Sequence, residues 1–147
     1  MSESNQPLPN DDRGTKPFPQ RDLDEAPVRR PHILDNRIPQ KIRFVSTDLS
    51  NVFTIDVDAM MVVGRRNSMK DMEVAIDLSA YDAYQMGVSR FHAMILTLDN
   101  RVTIKDLNSL NGTRLNNLDL KPSQEYLLEH GDKVSFGKLN FLIAFVY

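Results

Sequence analysis

The stretch FHAMILTLDNRVTIKD, residues 91–106, decides the fold. Its two runs, 91–98 and 101–106, are rich in β-branched and aliphatic residues, and only Asp99-Asn100, a pair with turn chemistry, separates them. The same grammar extends outward in both directions. Candidate strands precede it at 41–46 (KIRFVS), 52–57 (VFTIDV), 59–63 (AMMVV) and 73–77 (EVAID), and follow it at 133–136 (KVSF) and 139–146 (LNFLIAFV). Asn111-Gly112, Asn116-Asn117, Gly131-Asp132 and Gly137-Lys138 supply further turns. Many short strands with no long amphipathic pattern predict an all-β domain, an antiparallel sandwich or barrel. Segment 78–88 (LSAYDAYQMGV) breaks the rhythm. A connection of roughly ten residues either hosts a short helix or serves a function.

Proline sets the other boundary. Seven of the eight prolines lie within the first 40 residues, alongside 6 basic and 7 acidic side chains and few aliphatics. That composition cannot bury enough surface to offset chain entropy, so residues 1–40 are expected to be a flexible tail ahead of a domain at 41–147. The whole chain of 147 residues is 41% hydrophobic and 26% charged, with a formal charge of -2. Near-neutrality offers no general field for nucleic acid or an anionic membrane, so any anion must be bound locally. The absence of cysteine excludes disulfides, thiolate zinc sites and cysteine nucleophiles. No apolar run approaches the roughly 18 residues of a membrane span, and the start MSESNQPLPNDDRG carries neither a signal-type apolar segment nor a glycine at position 2. A cytoplasmic protein is the expectation.

Three short motifs stand at the ends of predicted strands: Gly64-Arg65, Ser89-Arg90-Phe91-His92 and Asn111-Gly112-Thr113. Loops of a sandwich gather at its two ends, so these residues can share a surface. Two guanidinium groups, a hydroxyl and an amide form a local anion site, and phosphate best uses forked charged donors with directed hydrogen bonds beside them. Ser89 and His92 also suggest a nucleophile and its base, but no acidic residue orients the imidazole and no oxyanion hole is indicated, so no enzyme is expected. His32, His92 and His130 lack ligand spacing, so neither a metal nor a cofactor is expected.

The segments VVGRR (62–66), GVSRFHAMI (87–95), IKDLNSLNGTRLN (104–116) and LEHGDKVSFG (128–137), in this order and spacing, resemble the forkhead-associated (FHA) domain, here of a small, single-domain, bacterial type. The resemblance implies a β-sandwich that binds phosphothreonine peptides in signalling by a Ser/Thr protein kinase. It implies that Arg65, Ser89 and Arg90 contact the phosphate and that Asn111 bonds the peptide main chain after the phosphothreonine. Gly64, His92, Ser109, Gly112 and Thr113 would shape and brace the loops. A small notch for the threonine methyl would favour phosphothreonine over phosphoserine. One departure stands out: family members often have threonine before Asn-Gly, where this chain has Leu110. The missing hydroxyl removes one contact, worth about 0.5–1.5 kcal/mol, unless a differently turned loop lets Ser109 replace it. Connection 78–88 is also longer than usual and resembles a variant of some bacterial members.

The remaining residues have plainer expectations. Phe44, Phe53, Phe136, Phe141 and Phe145 are core, Met60, Met61, Met69, Met72, Met86 and Met94 are gap fillers, and Arg66 is solvated. Tyr81 and Tyr84 either form a lip over a peptide or cap the sandwich. Thr15, the only threonine before residue 41, would on phosphorylation be able to reach the chain's own site. The competing expectation is a phospho-independent sandwich that assembles constitutively through its loops or a sheet face.

Overall fold

The computed structural model describes residues 37–147 apart from 69 and 70; the tail up to residue 36, with Thr15 and His32, and Met69 lie outside the described residues. Residues 37–40 run onto the fold just ahead of the first strand, with the Arg37 guanidinium 4.9 Å from the Tyr147 ring centroid. Gln40 donates to the Val146 carbonyl and accepts from the Val57 amide.

The strands are β1 (Lys41–Ser46), β2 (Val52–Asp56), β3 (Met60–Gly64), β4 (Val74–Asp77), β5 (Phe91–Leu98), β6 (Arg101–Asp106), β7 (Thr113–Leu115), β8 (Leu118–Asp119), β9 (Tyr126–Leu127), β10 (Lys133–Phe136) and β11 (Leu139–Val146). They form two sheets, ordered β2-β1-β11-β10-β7-β8 and β4-β3-β5-β6-β9, so the all-β expectation resolves to a sandwich. The pairing is antiparallel except that β3 and β4 run parallel, with Val62 opposite Val74. Nine residues lie between the end of β3 and the start of β4, and two strands side by side in the same direction cannot be joined by a tight hairpin.

Each long strand of the sequence pattern is present. Asp99 and Asn100 both take positive φ, 53° and 62°, as a two-residue turn matched to strand twist requires, and Asn116 and Asn117 do the same between β7 and β8. β7, β8 and β9 had no counterpart among the candidate strands. Two or three residues carry no readable alternation; partners in register select these segments, Leu115 against Val134 and Ile104 against Tyr126.

Period-two patterning builds the core. In β1, Ile42 and Phe44 are fully buried while Lys41 and Arg43 face water. From the other sheet Val63, Ile76, Ala93, Ile95 and Ile104 meet them, with Tyr126, Val134, Phe136 and Phe141 completing the layer. The methionines divide: Met61 is buried, but Met60 and Met72 are exposed and fill no gap. One aromatic cluster reaches beyond the strands. Phe53 stacks on Phe44 at 4.8 Å and on Tyr81 at 5.3 Å, and Phe141 meets both Phe44 and Phe53 edge-on.

Tyr81 belongs to the long connection, which opens with a single 3-10 turn at Ser79–Tyr81. Burial of Leu78, Ala83 and Val88 pins the rest, and the Met86 carbonyl accepts from Lys138 N of the β10–β11 turn. Tyr81 therefore caps the sandwich, while Tyr84 stays exposed. The connection is a packed platform for the residues after it. Phe141→Ala should remove the edge-on partner of three rings and cost about 3–5 kcal/mol in denaturant unfolding; truncation of the exposed Leu98 should cost under about 0.5 kcal/mol.

Candidate functional site

The end of β3 approaches the start of β5 so closely that only glycine fits. The β3–β5 register shifts between Val63 and Gly64, and a methyl group on Gly64 would stand 1.8 Å from the Arg90 carbonyl oxygen. Arg65 N donates to that same carbonyl, and the Gly64 carbonyl accepts from Leu78 N. Arg65, Val88, Ser89 and Arg90 are thereby forced into one neighbourhood, although 23 residues separate Arg65 from Val88.

The Arg65 side chain is held on three sides. Its Nε donates to the Val88 carbonyl at 2.7 Å, one Nη reaches Asn67 Oδ1 at 3.4 Å, and its guanidinium carbon lies 4.9 Å from the Tyr84 ring centroid. Arg66 does not join this site. Its guanidinium bonds the Val74 carbonyl through Nε and Nη2, and its amide donates to Asp77, so it is engaged with β4 and not simply solvated.

His92 links the second and third motifs. Its Nδ1 accepts the Ser89 amide at 3.0 Å, so Nε2 carries the proton and donates to the Gly112 carbonyl at 2.8 Å. The ring is fully buried and meets Phe136 edge-on at 5.7 Å. Burial lowers its pKa below the usual histidine value, outweighing the raising effects of the Gly112 bond and the Asp106 charge. With both nitrogens committed to backbone groups, His92 is not placed to draw a proton from the Ser89 hydroxyl. Ser89 Oγ instead accepts the Leu110 amide at 3.1 Å, which leaves its own hydrogen free to donate.

Asn111 reaches across to the long connection. Its Nδ2 donates to the Gly87 carbonyl at 3.0 Å, leaving one N–H and Oδ1 for other partners. Gly87 has φ +81°, and a methyl group there would stand 2.7 Å from that Nδ2. Ser109 turns inward: Oγ donates to Asp106 Oδ1 at 2.6 Å and accepts the Gly112 amide at 3.0 Å. It is therefore not free to replace the hydroxyl that Leu110 lacks. Thr113 Oγ1 donates to the same carboxylate oxygen at 2.7 Å.

Two acidic residues outside the motif-based expectations organise these loops. Buried Asp106 accepts from Ser109 N, Ser109 Oγ and Thr113 Oγ1 and so builds the turn that carries Leu110 and Asn111. Its spacing three residues before a serine was a legible sign of a side-chain-capped turn. Asp71, also buried, accepts Arg90 Nη2 at 2.7 Å and the Asn67 amide at 2.8 Å. Nothing in its flanking residues marked it. The Arg90 hydrogen bond chiefly holds its carboxyl below the usual aspartate value, and the arginine is raised in turn. Among the described residues no group of three or more His, Asp or Glu is arranged to hold a metal, and no helix is long and apolar enough to cross a membrane.

Two outcomes follow from this geometry. Gly64→Ala should cost about 3 kcal/mol or more, because backbone must move, whereas Gly112→Ala, strained by φ +83° but facing open space, should cost about 1–2 kcal/mol in urea unfolding. For His92, the unfolded chain, with an imidazole pKa of about 6.5, takes up a proton that the folded protein resists. Stability should therefore be fully present above that pH and decline below it. Urea midpoints at about pH 7.5 should exceed those at about pH 5.5, with a smaller difference in His92→Gln.

Comparison with known proteins matches the same region. The family model described as the FHA domain matches residues 61–137, just over half of the chain. Protein FraH of Nostoc sp. is 38% identical over 72 residues, which is 49% of this chain and 24% of FraH, so the chain covers about a quarter of that relative's length. The solution structure of the FHA domain of an Arabidopsis thaliana hypothetical protein is 26% identical with a TM-score of 0.58, over 77% of this chain and 92% of that one. A structure from work on phosphothreonine-dependent FHA domain interactions is 25% identical with a TM-score of 0.54, over 73% of this chain and 98% of that one. The match spans the junction of β3 with β5 and the His92-braced loops through to the end of β10, and the chain is a member of the FHA domain family.

Proposed function

We propose that residues 41–147 act as a phosphothreonine-peptide binding module that mediates phosphorylation-dependent protein–protein interaction. One observation carries this: the fold brings Arg65, Ser89, Arg90 and Asn111 from three separate segments to one loop end, each with donors to spare. Arg65 and Arg90 supply charge and forked donors to a phosphate dianion, and the Ser89 hydroxyl adds a directed bond. Asn111 offers the amide that fixes the peptide main chain, while Gly64, His92, Ser109, Gly112 and Thr113 hold the loops. The structural neighbour studied for phosphothreonine-dependent interactions supports the choice of ligand class.

In this reading the ligand is a protein that a Ser/Thr protein kinase has phosphorylated on threonine, and the module meets it in the cytoplasm. The module catalyses nothing in this scheme; it releases the phosphoprotein unchanged. The exposed Leu110 side chain supplies no hydroxyl to the anion, and Ser109 is committed to Asp106, so the site works with one polar contact fewer than family members that have threonine there.

Calorimetry with one threonine peptide in phosphorylated and unmodified forms tests the proposal: binding should be confined to the phosphorylated form, and equal affinities would instead indicate constitutive assembly. Arg65→Ala should weaken the phosphopeptide at least about tenfold, since a hydrogen bond to a charged group is worth about 1.5–3 kcal/mol.

A further inference from the structure

Arg65 and Arg90 leave the ends of different strands, and gathering their like charges at one anion is easier when their positions are set beforehand. Asn67 and Asp71, between β3 and β4, do this by a chain of bonds. Arg65 Nη1 donates to Asn67 Oδ1 at 3.4 Å, Asn67 N donates to Asp71 Oδ2 at 2.8 Å, and Arg90 Nη2 donates to Asp71 Oδ1 at 2.7 Å. Asp71 N closes the turn onto the Ser68 carbonyl. The carboxylate is 1% exposed, whereas the Arg90 side chain is 46% exposed. The pair therefore has a buried, hydrogen-bonded anchor and an open outer edge.

Its behaviour on ligand binding follows from that asymmetry. An arginine that left Asp71 for a phosphate would strand a buried carboxylate without its counter-charge, an unfavourable exchange. A guanidinium has five N–H donors, and the anchor engages one nitrogen, so Arg90 can meet an anion through Nε and Nη1 without leaving. We propose that Asp71 is a positioning residue for the anion site: it grips Arg90 from behind, presents its free edge beside Ser89, and through Asn67 ties Arg90 to Arg65. This rests on the phosphothreonine reading above. The benefit is preorganisation, since a half-exposed arginine otherwise loses rotamer freedom on binding.

The test is a double-mutant cycle on the full chain, read by calorimetry with the phosphothreonine peptide. Asp71→Asn keeps the shape and an acceptor for Asn67 N but removes the charge that holds Arg90. It should weaken binding about fivefold in the Arg90 background and by less than about 1.5-fold in Arg90→Ala, because it acts through that arginine. Equal weakening in both backgrounds would assign Asp71 a merely structural role. Tighter or unchanged binding by Asp71→Asn would show that the carboxylate competes with the ligand or is irrelevant; each of these results overturns the proposal. Should a variant fail to fold, nitrogen-15 NMR of the wild-type Arg90 guanidinium decides. Restricted rotation both free and with peptide supports the anchor, and a freely rotating group in either state refutes it. Failure of the wild-type protein to bind the phosphopeptide would instead sink the functional reading itself.

Discussion

A neutral imidazole buried between two loops holds the working end of this molecule together. His92 accepts the Ser89 amide and donates to the Gly112 carbonyl, so one ring satisfies one polar group from each loop. Neither loop forms a ladder with the other there, so the bonds of this ring are among those that link them, and the Gly112 carbonyl also accepts the Gly137 amide. The ring's tautomer is dictated by its partners, and its neutrality by burial. From it the rest follows: Ser89 is placed to accept Leu110 N, the turn that carries Asn111 is fixed, and Asn111 can reach Gly87.

The second constraint is electrostatic. The dianion site proposed above needs two cations near one anion, and their mutual repulsion has to be offset by other partners. This chain spreads the cost over unlike partners. Arg65 has a backbone carbonyl, an amide oxygen and the face of Tyr84; Arg90 has a buried carboxylate and the ring of Phe91 at 5.7 Å. None of these consumes the full fork of either guanidinium, so each keeps N–H donors for a further partner.

The long connection shows how one segment serves packing and surface at once. Tyr81 stacks into the aromatic cluster of Phe53 and Phe141 and ties the segment to the sandwich, while Tyr84, three residues on, stays outside against Arg65. In sequence the two tyrosines were indistinguishable, and a lip and a cap were equally open. The 3-10 turn at Ser79–Tyr81 separates them by turning one inward and leaving the other in water.

Alternation in KIRFVS and FHAMILTL, and paired turn residues such as Asp99-Asn100, were legible because side chains in a strand alternate faces and because positive φ restricts residue choice. Ordered motifs likewise marked Arg65, Ser89, Arg90, His92 and Asn111 before any contact was known. What the chain alone left undetermined was every relation between segments distant in sequence. The parallel β3–β4 pair, the two-residue strands, the inward turn of Ser109 and the anchoring of Arg90 by Asp71 all depend on partners that local pattern does not encode. Local residue chemistry determines which conformations a segment can adopt and which bonds it can make. Only the packed tertiary structure decides which of those bonds form, because burial makes an unpaired polar group expensive and distance selects its partner.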